Sequence, residues 1–142
     1  MAGYSGKSVA DKLGLKPNTH VWLIDPPKNY GDIIGRDVTG LLHVAQSLKQ
    51  GETADCIHCF VTTRKELEEL SQTLLSHLSS HGMLWISWPK SFGSLRSLRT
   101  KSNINEQDLR DVLLPLGVVD VKVCAVDEVW SGLKFVRRVV ES

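Results

Sequence analysis

The stretch GMLWISWPK, Gly82 to Lys90, decides the fold. Its apolar run from Met83 to Trp88 is long enough for a strand and too short for a helix. Leu84, Ile86 and Trp88 fall on one alternating face and Met83 and Trp85 on the other, so both faces are apolar. A strand buried on both sides of a sheet reads this way. Pro89 cannot donate to a ladder, which ends the run and leaves Trp88 and Lys90 at its carboxyl end, where open α/β sheets place their ligands.

Working outward, Thr63 with Glu66 three residues on is a capping box, and Leu67, Leu70, Leu74 and Leu78 after it make the apolar stripe of a helix predicted to run to Ser80, with Gly82 as its stop. Before it, DCIHCFV from Asp55 to Val61 is a second buried strand. Further upstream, HVWLI from His20 to Ile24 is a strand that stops at Asp25, Pro26 and Pro27. A short helix over Ser8 to Leu15 precedes it, and Tyr30, Ile33 and Ile34 predict two turns of helix after it. Residues 39 to 50 fit either helix or strand, and LLHVA between turn signals favours a strand.

Downstream, Ser91 to Ser102 is a basic loop containing Arg96, Arg99 and Lys101. Asn105 is the N-cap of a helix over Glu106 to Leu116 with Leu109, Val112, Leu113 and Leu116 as its buried stripe and Gly117 as its stop. From Val118 to Val126 the sequence alternates, with Val119, Val121, Val123 and Ala125 expected on the buried side. Trp130 to Gly132 predict a turn and Leu133 to Val140 a last strand.

Strands alternating with helices imply a three-layer α/β domain, a mostly parallel sheet with helices on both faces, closed by a C-terminal antiparallel hairpin. The expected strand order is 2-1-3-4-6-5, with the sixth strand antiparallel. That order resembles a shortened, degenerate methyltransferase-type Rossmann domain. One feature opposes it: the nine residues between Ala45 and Asp55 are fewer than the dozen or so of an ordinary parallel crossover.

The 142 residues suit one domain, with residues 1–6 as a flexible N-terminus. Lys plus Arg total 17 against 16 Asp plus Glu, so any basic surface is local and nucleic acid is not the expected partner. There is no apolar segment near the roughly 18 residues of a membrane span, nor a signal-peptide pattern in MAGYSGKSVADKLG. A cytoplasmic protein with three reduced cysteines is expected.

In such a sheet all parallel carboxyl ends share one edge, which gathers Asp25 to Tyr30, Thr62 to Arg64, Trp88 to Lys90 and Asp127 to Trp130. The candidate binding residues are Trp88, Lys90, Asp127, Glu128, Trp130, Ser131 and Arg64. The expected arrangement pairs Lys90 with Asp127 or Glu128 in a pocket walled by Trp88 and Trp130. Arg96, Arg99 and Lys101 are candidate contacts to RNA or a small anion.

Nucleotide chemistry fares poorly on the sequence. Phosphate sites need glycines and free amides, whereas Pro26 and Pro27 delete two donors and Asp25 adds negative charge. Ala45, Gln46 and Ser47 stand where a methyltransferase-type fold would carry a ribose-binding acid. No cofactor is therefore expected, and S-adenosylmethionine is weighed against. Cys56 and Cys59 point to opposite faces of a strand and so cannot share a metal, while His77 and His81 form a helical pair without a third ligand.

MAGYSGKSVADKLGLKP at the start, ISWPK in the middle and VDVKVCAVDEVWSGLKFV near the end resemble the bacterial family known as domain of unknown function 3052. The resemblance implies that Gly3 to Gly6, Trp88 to Lys90 and Asp127 to Gly132 match family motifs, and it implies no activity. The functional expectation is a non-catalytic or regulatory domain binding a small molecule or protein at the carboxyl edge. The alternatives are a divergent S-adenosylmethionine-dependent methyltransferase and RNA or anion binding through the basic loop.

Overall fold

The computed structural model describes residues 9–35, 40, 42–90 and 104–138. In chain order the elements are α1 (Val9–Leu13), β1 (His20–Ile24), α2 (Tyr30–Ile34), β2 (His43–Ala45), β3 (Ala54–Phe60), α3 (Arg64–Ser76) and β4 (Leu78–Pro89). They are followed by α4 (Glu106–Leu113), a 3-10 turn (Leu114–Leu116), β5 (Val118–Ala125) and β6 (Trp130–Arg137). The sheet order is β2-β1-β3-β4-β6-β5. β1 to β4 pair in parallel, and β6 runs antiparallel to both β4 and β5. Fold class, strand order and strand direction are those expected from the sequence.

The two apolar faces of β4 explain the layers. Leu84, Ile86 and Trp88 join one cluster with Leu67 and Leu74 of α3 and Leu109 and Leu113 of α4. Trp85 joins the other with Leu13 of α1 and Tyr30 and Ile34 of α2. Trp85 is wholly buried, and its indole N–H donates to the Leu13 carbonyl at 2.9 Å, tying α1 to the sheet centre. The short second crossover is feasible because β2 has only three residues. Its eight linking residues can reach roughly 26 Å, while passing the intervening β1 needs about 10 Å sideways.

Three local expectations are corrected. The helix after Thr63 ends at Ser76 rather than Ser80, and Leu78 is buried as the first residue of β4. Gly82 lies inside β4, where its register against β3 is broken: Ala54 pairs with Leu78 but Cys56 with Met83. A Cβ on Gly82 would stand 2.8 Å from Ser79 Oγ and 3.1 Å from the Asp55 carbonyl, so the glycine serves a tight bulge and not a helix stop. Trp130 to Gly132 belong to β6, and the turn is Asp127 to Val129.

A bulge between Asp120 and Lys122 also overturns the expected alternation in β5. Asp120 reaches Arg110 of α4, whereas Lys122 reaches the Lys12 carbonyl of α1 on the other face of the sheet. The extra residue switches sides, which leaves Val121 and Val123 exposed at 52% and 55%.

Candidate functional site

Strand order alone locates a crevice. From β1 the chain moves outward to β2 and then back past β1 to β3, so the winding reverses between β1 and β3. Open α/β sheets bind ligands at the carboxyl ends of the strands flanking such a switch point. Here those ends are Asp25-Pro26-Pro27 and Thr62-Thr63.

Asp25 adopts φ 52°, the left-handed region that glycine usually occupies and that Asp tolerates. Its side chain is exposed, and among the described residues it has no ion-pair partner. Across the crevice Glu66 completes the predicted capping box. Its Oε1 accepts from the Thr62 amide at 2.7 Å, the Thr62 hydroxyl at 3.1 Å and the Thr63 amide at 3.3 Å. The donors that could have held a phosphate are thus consumed by a carboxylate. Cys59 lies beneath: burial first, then the charges of Asp25 and Glu66, push its thiol up to about 12.

Behind the crevice runs a buried polar chain. The Tyr30 hydroxyl is 3.0 Å from His58 Nδ1, and His58 Nε2 is 2.8 Å from Ser87 Oγ. Burial holds the His58 imidazole down at about 3, so the ring is neutral. It stacks on Phe60, and Tyr30 meets both rings edge-on. This chain links α2, β3 and β4 one layer below the carboxyl edge. The sequence signal is a histidine in an otherwise apolar, doubly buried strand, which must find polar partners. Cys56 and Cys59 do face opposite clusters.

The residues singled out from the sequence divide into separate groups. Trp88, Lys90 and Ser131 line a shallow cleft of about 430 Å³ with Asn105, Glu106, Gln107 and Arg110 of the α4 region. Lys90 forms no ion pair with Asp127 or Glu128 there. Its Nζ donates to the Asp127 backbone carbonyl at 2.8 Å, and its amide donates to the Val129 carbonyl at 2.8 Å. The Asp127 carboxylate instead accepts from the Val129 and Trp130 amides at 2.9 and 2.8 Å, closing the turn. Glu128 is exposed in that turn.

Trp88 and Trp130 do not wall one pocket. Trp88 pairs with Ser131, one position from Trp130, so the indoles lie on opposite faces of the sheet. Trp88 packs on the α3–α4 side and Trp130 stands edge-on to Phe60 at 4.9 Å on the other. Arg64 lies apart, at the start of α3, where it joins Glu68, Asp108 and Asp111 and staples α3 to α4. Arg96, Arg99 and Lys101 lie outside the described residues. The expected helical pair of His77 and His81 does not form: His77 follows α3 and its Nδ1 lies 2.6 Å from the Glu52 carbonyl, while His81 is in β4. No group of three or more metal-ligating side chains occurs among the described residues.

No family model matches the chain, and no curated protein matches it. Solved structures do. A SAM-dependent methyltransferase from Aquifex aeolicus aligns with a TM-score of 0.57 at 17% identity, covering 89% of this chain and 86% of that one. A putative type 11 methyltransferase from Sulfolobus solfataricus aligns with a TM-score of 0.58 at 13% identity, covering 94% and 91%. Magnesium protoporphyrin IX methyltransferase from Synechocystis PCC 6803, solved with bound SAH, gives 0.56 at 14% identity, covering 91% and 77%. The fold is therefore of the Rossmann, methyltransferase-like α/β class.

These likenesses overturn the expectation that S-adenosylmethionine is disfavoured. The missing phosphate donors are no ground against this ligand, although Ala45, Gln46 and Ser47 still offer no ribose-binding acid after β2. Pro26, Pro27 and Asp25 oppose a pyrophosphate, but S-adenosylmethionine carries no phosphate and does carry a sulfonium and an α-ammonium. The Asp25 carboxylate, which has no ion-pair partner among the described residues, is compatible with those positive charges.

Proposed function

We propose that this chain is a divergent S-adenosylmethionine-dependent methyltransferase that takes the adenosyl ligand in the crevice between β1 and β3. The observation that carries the reading is Asp25: a carboxylate without an ion-pair partner among the described residues, in left-handed backbone, at the end of the strand where the winding reverses. The similarity of the whole fold to methyltransferases supports it. When bound, the ligand would supply a methyl group made electrophilic by its sulfonium.

The chain's own residues have distinct tasks in this reading. Asp25 offsets the ligand's positive charge. Pro26 and Pro27 fix φ on both residues after it, so the turn is ordered before ligand arrives. Glu66 occupies the Thr62 and Thr63 amides, which selects against phosphate-bearing dinucleotides. Tyr30, bonded to His58, holds α2 against β3 and so sets the width of the crevice.

Calorimetric titration of the full chain with S-adenosylmethionine, S-adenosylhomocysteine and NADH tests this. Saturable binding of the adenosyl ligands and none of NADH is expected, with Asp25→Asn binding S-adenosylmethionine about tenfold more weakly, a loss of one charged contact. Absence of binding by either adenosyl ligand removes the reading.

A further inference from the structure

We propose that the opposite, amino edge of the sheet carries an oxyanion site for a phosphate- or sulfate-type group, formed by Arg137, Arg138, His81 and Ser80. The structure describes four arginines. Arg64 and Arg110 are each paired with carboxylates. Arg137 and Arg138 have no carboxylate partner among the described residues, and both line a cavity of about 450 Å³ with Ser80, His81, Gly82 and Val136. No acid lines that cavity, in a chain whose net charge is only +1.

Both guanidinium groups are held from behind by carbonyls. Arg137 Nη2 donates to the Leu75 carbonyl in the last turn of α3 at 2.6 Å and to the Leu78 carbonyl at the start of β4 at 2.8 Å. Arg138 Nη2 donates to the Leu114 carbonyl at 3.3 Å, and its amide donates to Gly117 at 2.9 Å. Among the described residues each group is engaged through one nitrogen, which leaves the rest of its fork for a ligand. A planar fork with fixed direction matches the oxygen spacing of an oxyanion, and the ordering cost of each arginine is already met by the fold. Ser80 Oγ and His81 Nδ1, 3.2 Å apart, add a hydroxyl and an imidazole from the β4 side of the same cavity. The bulge at Ser79 to Gly82 brings them there, since the glycine lets the strand close on Ser79 without a Cβ.

The site stands on different residues from the crevice, so the two readings fail separately. Isothermal titration of the full chain with inorganic phosphate and with sulfate, beside a short single-stranded RNA, decides it. One-to-one saturable phosphate binding is expected at about millimolar concentration or below. It should weaken about tenfold or more in Arg138→Gln, which loses a charged donor, and should weaken also in His81→Gln. Both positions are exposed, and unfolding midpoints show whether each variant keeps the fold. Absence of phosphate and sulfate binding, equal affinity in wild type and both variants, or RNA binding without phosphate binding would each overturn the proposal.

Discussion

His58 Nε2 lies 2.8 Å from Ser87 Oγ, with both side chains fully buried between β3 and β4. A neutral imidazole has one donor and one acceptor, so of the Tyr30 and Ser87 hydroxyls one gives a proton to the ring and the other receives one. Protonating the ring would destroy that complementarity in a buried site with no carboxylate bonded to the ring among the described residues. The folded state therefore holds His58 at about 3, whereas the unfolded chain titrates near its ordinary 6.5.

The pH consequence follows from the sign. Between about 6.5 and 3 the unfolded chain binds a proton that the folded chain refuses, so stability falls as pH falls through this window and the His58 contribution is intact above it. His58→Asn should lose roughly 1–3 kcal/mol at neutral pH, through imperfect pairing of Tyr30 or Ser87. It should also lose part of the acid sensitivity. Urea midpoints measured from neutral to acid pH check both; an unchanged acid slope in the variant would place the sensitivity elsewhere.

Gly82→Ala should destabilise by about 1–3 kcal/mol, the range for forcing extra volume into a packed site. Its Cβ would meet Leu78 Cδ1 at 2.9 Å and Ser79 Oγ at 2.8 Å, and of its close neighbours the Asp55 carbonyl at 3.1 Å is backbone, the least able to yield. Gly51→Ala is the control, because its Cβ meets nothing within 4 Å, although its φ of 89° adds backbone strain. Denaturation at equilibrium should rank Gly82→Ala as the worse substitution.

Asp127 discriminates a turn from an ion pair. Its carboxylate accepts two amides and Lys90 bonds its carbonyl, so a carboxamide serves nearly as well as a carboxylate. Asp127→Asn should stay within about 0.5 kcal/mol of wild type, and Asp127→Ala should lose about 1 kcal/mol as two amides lose their acceptor. Equal losses in the two variants would restore a charge-based role.

Periodicity and crossover rules made the strand order legible because both concern whole elements: GMLWISWPK is apolar on two faces, and such a strand belongs inside a parallel sheet. Periodicity extends the helix to Leu78 because an apolar residue four after Leu74 fits the next helical turn as well as the first residue of a strand. The helix ends where Arg137, 59 residues from Leu78, donates to the Leu75 and Leu78 carbonyls, and no local window contains that contact. The bulges at Gly82 and at Asp120 to Lys122 are likewise pairing events between strands. The meeting of Lys90 with the Asp127 to Val129 turn at the carboxyl edge follows from strand direction alone. Sequence spacing within separate strands does not fix the relative parity of Trp88 and Trp130, which only the Trp88–Ser131 register sets.

Glu66 links that legible grammar to the crevice. Thr63→Ala removes one acceptor, for the Glu66 amide at 3.1 Å, and should cost about 1 kcal/mol, as loss of an N-cap does. Glu66→Ala removes the acceptor for three donors on Thr62 and Thr63 and should cost more, about 1–3 kcal/mol. The double variant should cost less than the sum, because Thr63 and Glu66 belong to one reciprocal box. Chemical denaturation of the four proteins gives the coupling, and strict additivity would mean that the two halves of the box act independently.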